Sequence, residues 1–157
     1  LQKKIGSGLA PREFRRLFRA GKAGHAGLQE SAALLAHCLG WKPETITETG
    51  DAVVADHDIK TQHVTVRKGE TCGLHQHARV KVNGKVCLTL DLKMYLDAPN
   101  PHDAIQVEGD PGLDVVIQGG VAGDQATVAA LVNTAPRLLQ ARPGLLLVTD
   151  LPVPAIA

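Results

Sequence analysis

The sequence predicts an α+β domain, on three observations. Apolar residues recur at helical spacing through the first forty positions, alternate with polar ones from Thr45 to Ile117, and return to helical spacing after Asp124. An Asn-Gly pair at 83–84 separates the two most regular alternating runs, which marks a hairpin and hence antiparallel pairing. No internal repeat or low-complexity linker interrupts the order of helices, then four or more mostly antiparallel strands, then a helix.

Each element has a local cause. Pro11 suits the first turn of a helix, where its missing N–H is not needed, and Phe14, Leu17 and Phe18 follow at i, i+3 and i+4. Arg12, Arg15, Arg16 and Arg19 clothe the remaining surface and read as a solvated face. A second helix is expected from Leu28 to Leu39, with Leu28, Ala32, Leu35 and Leu39 on one stripe. Gly40 is placed to cap it and Pro43 bars continuation.

The segment TITETGDAVVADHDIKTQHVTV, from Thr45, alternates in the manner of strands. In the hairpin, Leu74, Ala78, Val80 and Val82 share one face, while His75, His77, Arg79 and Lys81 share the other. The return strand repeats the apolar face with Val86, Leu88, Leu90, Leu92 and Met94. Two short strands, DAIQVEG and LDVVIQG, then flank Asp110-Pro111-Gly112. In the last helix Asp124 can cap the first turn, and Val128, Leu131, Val132, Ala135, Leu138 and Leu139 form its apolar stripe. Pro136 removes the amide that would bond to the Val132 carbonyl, which predicts a kink or a restart capped by Thr134.

Composition narrows the function. A chain of 157 residues, 44% hydrophobic and 21% charged, is long enough to bury a core, although 3% aromatics leave that core to Leu, Val, Ile and Ala. A formal charge of +1, with no basic run interleaved with aromatics, argues against nucleic-acid binding. No apolar run reaches the length of a membrane span, and the N-terminus does not read as a signal peptide. Cys38, Cys72 and Cys87 form no close pair, so reduced thiols in a cytoplasmic protein are expected. The chain opens on Leu1 rather than Met and reads as part of a longer polypeptide.

Direct chemical motifs are few. His75 and His77, two apart on a strand, project from one face and could chelate, but no Cys, Asp or Glu joins them at a recognisable spacing. No metal is therefore expected; these residues read as a polar sheet face against solvent or a partner subunit, or as the lining of a substrate pocket. His57 and His63 carry no motif and read as surface residues. There is no Gly-x-Ser-x-Gly elbow, no cysteine in a catalytic motif, and no G-x-G-x-x-G after a strand. Ser7 in Gly-Ser-Gly follows no strand and does not mark a phosphate loop.

Three longer segments carry a resemblance. QKKIGSGLAPREFRRLF, GHAGLQESAALLAHCLGW and GGVAGDQATVAALVNTAPRLLQARPGLLLVTDLP resemble the C-terminal halves of 2,4-diaminopentanoate dehydrogenases and the related native amine dehydrogenases. That group is similar in turn to dihydrodipicolinate reductases. The resemblance covers nearly the whole chain. It is densest where GD-x-AT, an Asn-x-x-Pro spacing, PGL and DLP occur in order.

The resemblance implies an open mixed, mostly antiparallel sheet with flanking helices, the dihydrodipicolinate-reductase-like C-terminal domain, with an N-terminal Rossmann domain absent from this chain. Residues 1–157 would form the substrate-binding and dimerisation domain of a homodimer, and residues 120–157 would pack back toward that Rossmann domain. NADP or NAD would be bound mainly by the absent domain, and an acidic catalytic residue is expected there too, so this chain alone would be inactive. The substrate would be an amine, a ketone or an amino acid, and a hydride would pass between the nicotinamide and a carbon alternating between amine and imine.

By the same resemblance, Lys3 or Lys4 with Ser7 and Gly8 lie where the reductases grip substrate carboxylates; His75 and His77 are further substrate-facing candidates from their shared strand face alone. The His-His pair of the reductases is missing and the Lys-to-Ser spacing is shorter, which favours the amine or diamino-acid branch. Gly119, Gly120, Ala122, Gly123 and Asp124 match the loop beside the nicotinamide, with Asn133 further along the helix. The glycines there read as a close-approach surface for the cofactor. Two alternatives remain: 4-hydroxy-tetrahydrodipicolinate reduction, and a non-catalytic ligand-binding or oligomerisation domain.

Overall fold

A computed structural model of the chain describes residues 4–152. Its contacts divide between Ala98 and Pro99 into two compact units. In the first, helices α1 (Pro11–Arg19) and α2 (Leu28–Cys38) precede strands β1 (Thr45–Val54), β2 (Ile59–Lys60), β3 (Thr65–Val66), β4 (Thr71–Val82) and β5 (Lys85–Tyr95). In the second, strands β6 (His102–Val107) and β7 (Leu113–Gln118) precede α3 (Gly123–Leu138) and a 3-10 turn, Val148–Asp150. The sheets are β1-β4-β5, β2-β3 and β6-β7, and all described pairings are antiparallel. This is the α+β class that the patterning predicts, built on open antiparallel sheets.

Helices α1 and α2 cover one face of the three-stranded sheet. Phe14 is fully buried against Ile5 and Leu74, with Phe18, Ala52, Leu92 and Met94 around them. Ala32 and Ala36 of α2 pack on Ala78 and Val80, flanked by Trp41, Ile46, Leu88 and Leu90. Here the structure corrects the expected stripe: Leu35 and Leu39 are 42% and 55% exposed. Two alanines one turn apart let the helix approach the sheet closely, so the contact rotates toward them and the leucines turn outward. Gly40, at φ +68°, ends α2 in the left-handed conformation expected of it.

The hairpin forms around Asn83 and Gly84, both at positive φ, with Val82 opposite Lys85. A two-residue turn alone would set Val80 opposite Cys87 and reverse the apolar face of the return strand. A bulge resolves the conflict, since Lys81 pairs with Val86 but Val80 pairs with Leu88. Leu88, Leu90, Leu92 and Met94 then line up with Val80, Ala78, Gln76 and Leu74. Val86, expected on the apolar face, instead sits opposite Lys81 and is 56% exposed.

Candidate functional site

The N-terminal loop is held to the sheet by its backbone. The Gly8 amide donates to the Thr71 carbonyl at 2.9 Å, and the Thr71 amide donates to the Leu9 carbonyl at 2.8 Å. Gly6 and Gly8 take φ of +80° and +84°, and a Cβ at Gly6 would collide with the Phe14 ring. Ser7 is thereby set beside the first residue of β4. The Ser7 and Thr71 hydroxyl oxygens are both buried, and neither has a hydrogen-bond partner among the described residues. Lys4 is exposed, and its carbonyl accepts from the Gly24 amide. Lys3 lies outside the described residues. Thr71 is a candidate that the spacing did not reveal, because its place beside Ser7 depends on a long-range pairing.

In the second unit, β7 ends in a turn that explains part of its glycine content. Gly119 and Gly120 take φ of +79° and +72°, the left-handed region that favours glycine. The Gly119 amide donates to the Pro101 carbonyl, and the Gly120 amide to the Ile117 carbonyl. Asp103 Oδ2 accepts from the Val121 amide at 2.7 Å and fastens the turn to β6. Sequence reasoning missed Asp103, whose only signal is an acidic residue early in the strand paired with β7.

Gly123 differs from these two. It opens α3 without a positive φ, and a Cβ there would meet nothing within 4 Å. The expected cap is not formed: Ala122 is the N-cap residue, in extended conformation, and no described side chain makes a capping hydrogen bond. Asp124 lies one residue inside the helix, in the first turn, where its charge still suits the positive end of the dipole. Thr127 Oγ1 bonds back to the Gly123 carbonyl at 2.8 Å.

Nor does α3 restart at Thr134. It runs unbroken through Pro136 and ends at Leu138, two residues on; the proline forfeits its own bond to the Val132 carbonyl near an end that is already closing. The apolar stripe is exposed rather than buried, with Val128, Leu131, Val132 and Leu138 between 51% and 72% accessible. Asp124, Val128, Val132 and Asn133 line an open depression of about 550 Å³ along this helix. Asn133 is exposed, and its carbonyl accepts from Arg137 Nε at 3.3 Å. In the DLP segment, the Asp150 carboxylate accepts from the Leu147 amide and closes the 3-10 turn.

The polar face of the three-stranded sheet carries His75 and His77 as expected. A carboxylate that no recognisable spacing indicates joins them in space. Asp91 lies opposite His77, and its Oδ1 is 2.7 Å from His75 Nε2. Without the bulge His77 would face Leu90, so the Asn-Gly hairpin signal alone does not reveal Asp91. His57 is exposed, as read, yet it is bracketed by Asp56 at 2.5 Å and Asp97 at 3.0 Å. Those two hydrogen bonds raise its pKa above the ordinary histidine value.

On α1, Arg15 Nε bonds to Asp51 at 2.6 Å and holds that carboxyl below its usual range. Arg16 pairs with Glu13 on the same helix. No helix among the described residues is long and apolar enough to cross a membrane.

Comparison with known proteins agrees with this architecture. The family model described as the 2,4-diaminopentanoate dehydrogenase C-terminal domain matches residues 1–157. A curated 2,4-diaminopentanoate dehydrogenase of Acetoanaerobium sticklandii is 30% identical over 155 residues, covering 95% of this chain and 44% of the relative. The structure of an amine dehydrogenase from Mycobacterium smegmatis superposes with a TM-score of 0.83 at 20% identity, over 99% of this chain and 47% of that one. The chain thus spans less than half the length of either protein. The match across all 157 residues identifies the chain as a member of the 2,4-diaminopentanoate dehydrogenase C-terminal domain family.

Proposed function

We propose that this chain is the substrate-binding and dimerisation part of an NAD(P)-dependent oxidoreductase acting on CH–NH2 and C=N bonds, of the amine or 2,4-diaminopentanoate dehydrogenase type. The observation that carries the reading is the family match along the entire chain. A hydride would leave the amine-bearing carbon for the oxidised nicotinamide, and water would release ammonia and the carbonyl product. The reverse direction is reductive amination with ammonia.

Ser7 and Thr71 support the substrate side of the reading. Two buried hydroxyls without a partner among the described residues can each donate to a carboxylate oxygen, and such groups are costly to leave unpaired. Lys4 adds an exposed positive charge, and the Gly8 backbone fixes the loop that carries Ser7. These residues would orient an acidic or zwitterionic substrate rather than take part in bond breaking.

The start of α3 fits the cofactor. No described side chain caps the first amides of the helix, which have no intrahelical partner, and Gly123 leaves open space beside Ala122 and Asp124. Gly119 and Gly120 shape the turn leading to it, and Asn133 borders the same depression. Bound NAD or NADP would supply the hydride acceptor, while this segment would offer a surface for close approach. The exposed stripe of α3 supports a role in contact with a second domain or subunit, and residues 120–157 are its natural site.

The test is NAD(P)H oxidation by the full-length enzyme with ammonia and a panel of ketones and 2-amino-4-oxo acids. Turnover of at least one carbonyl, dependent on ammonia, is expected, and none from residues 1–157 alone. Failure with every carbonyl, or activity on dihydrodipicolinate only, overturns the reading.

A further inference from the structure

The outer face of β4 and β5 brings together three groups that sequence spacing keeps apart. His75 and His77 project from the same side of β4, and the bulge at Cys87 sets Asp91 opposite His77 on β5. His75 Nε2 stands 2.7 Å from Asp91 Oδ1, and His77 Nδ1 stands 3.9 Å from Asp91 Oδ2. The imidazole centroids are 4.1 Å apart. One donor atom from each of the three residues lies within 4.8 Å of the other two.

We propose that His75, His77 and Asp91 form a binding site for one divalent transition-metal ion of the zinc class. Two imidazole nitrogens and one carboxylate oxygen are a donor set that zinc accepts, at bond lengths of about 2.0–2.2 Å. A tetrahedral shell with those bonds separates its ligand atoms by roughly 3.4 Å. The separations of 2.7 and 3.9 Å bracket that value, so small side-chain rotations bring the three donors onto one ion.

The setting supports this assignment. Both histidines stand on the central strand of the sheet, paired on either side, which fixes their backbone spacing. Their side chains are 30% and 26% exposed and that of Asp91 is 48% exposed, so the fourth position faces water. Across the sheet, Asp51, ion-paired with Arg15, faces His75 from β1, and Lys93 faces it from β5. Magnesium and calcium favour all-oxygen shells, so the imidazoles select for ions of the zinc type. The test of this site does not read dehydrogenase activity.

Full-length protein without a histidine tag, stripped with chelator, would be titrated with Zn2+ by calorimetry and with Co2+ by visible absorption. One ion per chain and a Co2+ d–d band are expected. Asp91→Asn, an isosteric change at an exposed position, and His77→Ala should each weaken binding by 10-fold or more, in keeping with about 10–100-fold for losses around metal sites. His57→Ala, which removes another histidine flanked by carboxylates, should leave the affinity unchanged. Absence of a stoichiometric site in the wild-type protein overturns the proposal. So does equal binding by the His75→Ala/His77→Ala double variant, which would leave the triad as a hydrogen-bonded pair and its neighbour.

Discussion

Gln76 and His25 exchange a pair of hydrogen bonds across 51 positions of sequence: the His25 amide donates to Gln76 Oε1 at 2.6 Å, and Gln76 Nε2 donates to the His25 carbonyl at 3.0 Å. Gln76 Nε2 also donates to Glu48 Oε1 at 2.6 Å. The side chain is 1% exposed and points inward from β4 in line with Leu74 and Ala78. A polar residue at a core position thus ties the loop between α1 and α2 to the sheet that carries the candidate metal ligands on its other face.

Replacing Gln76 with Leu keeps the volume and removes all three bonds. The His25 backbone and the Glu48 carboxylate would lose their partner, so the expected loss is about 2–4 kcal/mol. Urea unfolding checks it. A loss below about 0.5 kcal/mol would mean that water satisfies the loop without the amide.

A second prediction concerns Gly6, which lies between Lys4 and Ser7. Its φ of +80° disfavours any side chain, and a Cβ would also strike the Phe14 ring. Gly6→Ala should cost about 2–3 kcal/mol. Gly84→Ala shares the positive φ but meets nothing within 4 Å, so about 1 kcal/mol is expected there. The difference between the two melting shifts measures the aromatic contact alone. Equal shifts would show that Phe14 moves aside freely.

How much of this was written in the chain follows from the reach of each signal. Pro11, Gly40 and Asn83-Gly84 act within a few residues, and the elements they bound appeared where expected. The bulge at Cys87 was implicit, because a two-residue turn and a shared apolar face cannot both hold without an extra residue. That conflict, read closely, would have moved Val86 outward and brought Asp91 to His77. The pairing of Gly8 and Leu9 with Thr71 had no such local sign, and it is what places Thr71 beside Ser7. The stripe of α3 was periodic, but periodicity reports only that a helix has an apolar side, not what covers it.

The three glycines before and at the start of α3 should separate in a mutational series. Gly119→Ala and Gly120→Ala force a Cβ into the left-handed region and should each cost about 1–2 kcal/mol. Gly123→Leu has open space and an ordinary φ, so thermal stability should stay within about 0.5 kcal/mol of wild type. In the full-length enzyme the same Gly123→Leu change should raise the KM for the nicotinamide cofactor. An unchanged KM alongside a lowered melting temperature would make Gly123 a purely structural residue.

The last prediction is a pH dependence at His57. Hydrogen bonds first to Asp56 and then to Asp97 raise its pKa, and the bond to His57 lowers that of Asp56. A raised histidine value stabilises the fold fully below its unfolded value of about 6.5, and that contribution fades as pH rises through the folded value. A lowered aspartate value acts the other way, stabilising above the unfolded Asp value and failing as pH drops through the folded one. The bracket therefore contributes most in mildly acidic solution. The effect is small, because all three side chains are exposed and salt screens them. NMR titration should give His57 a midpoint above the ordinary histidine value. Asp97→Asn tolerates the left-handed φ of +59° found there and should lower that midpoint without unfolding the protein. If the midpoint were unmoved, Asp56 alone would hold the proton on His57.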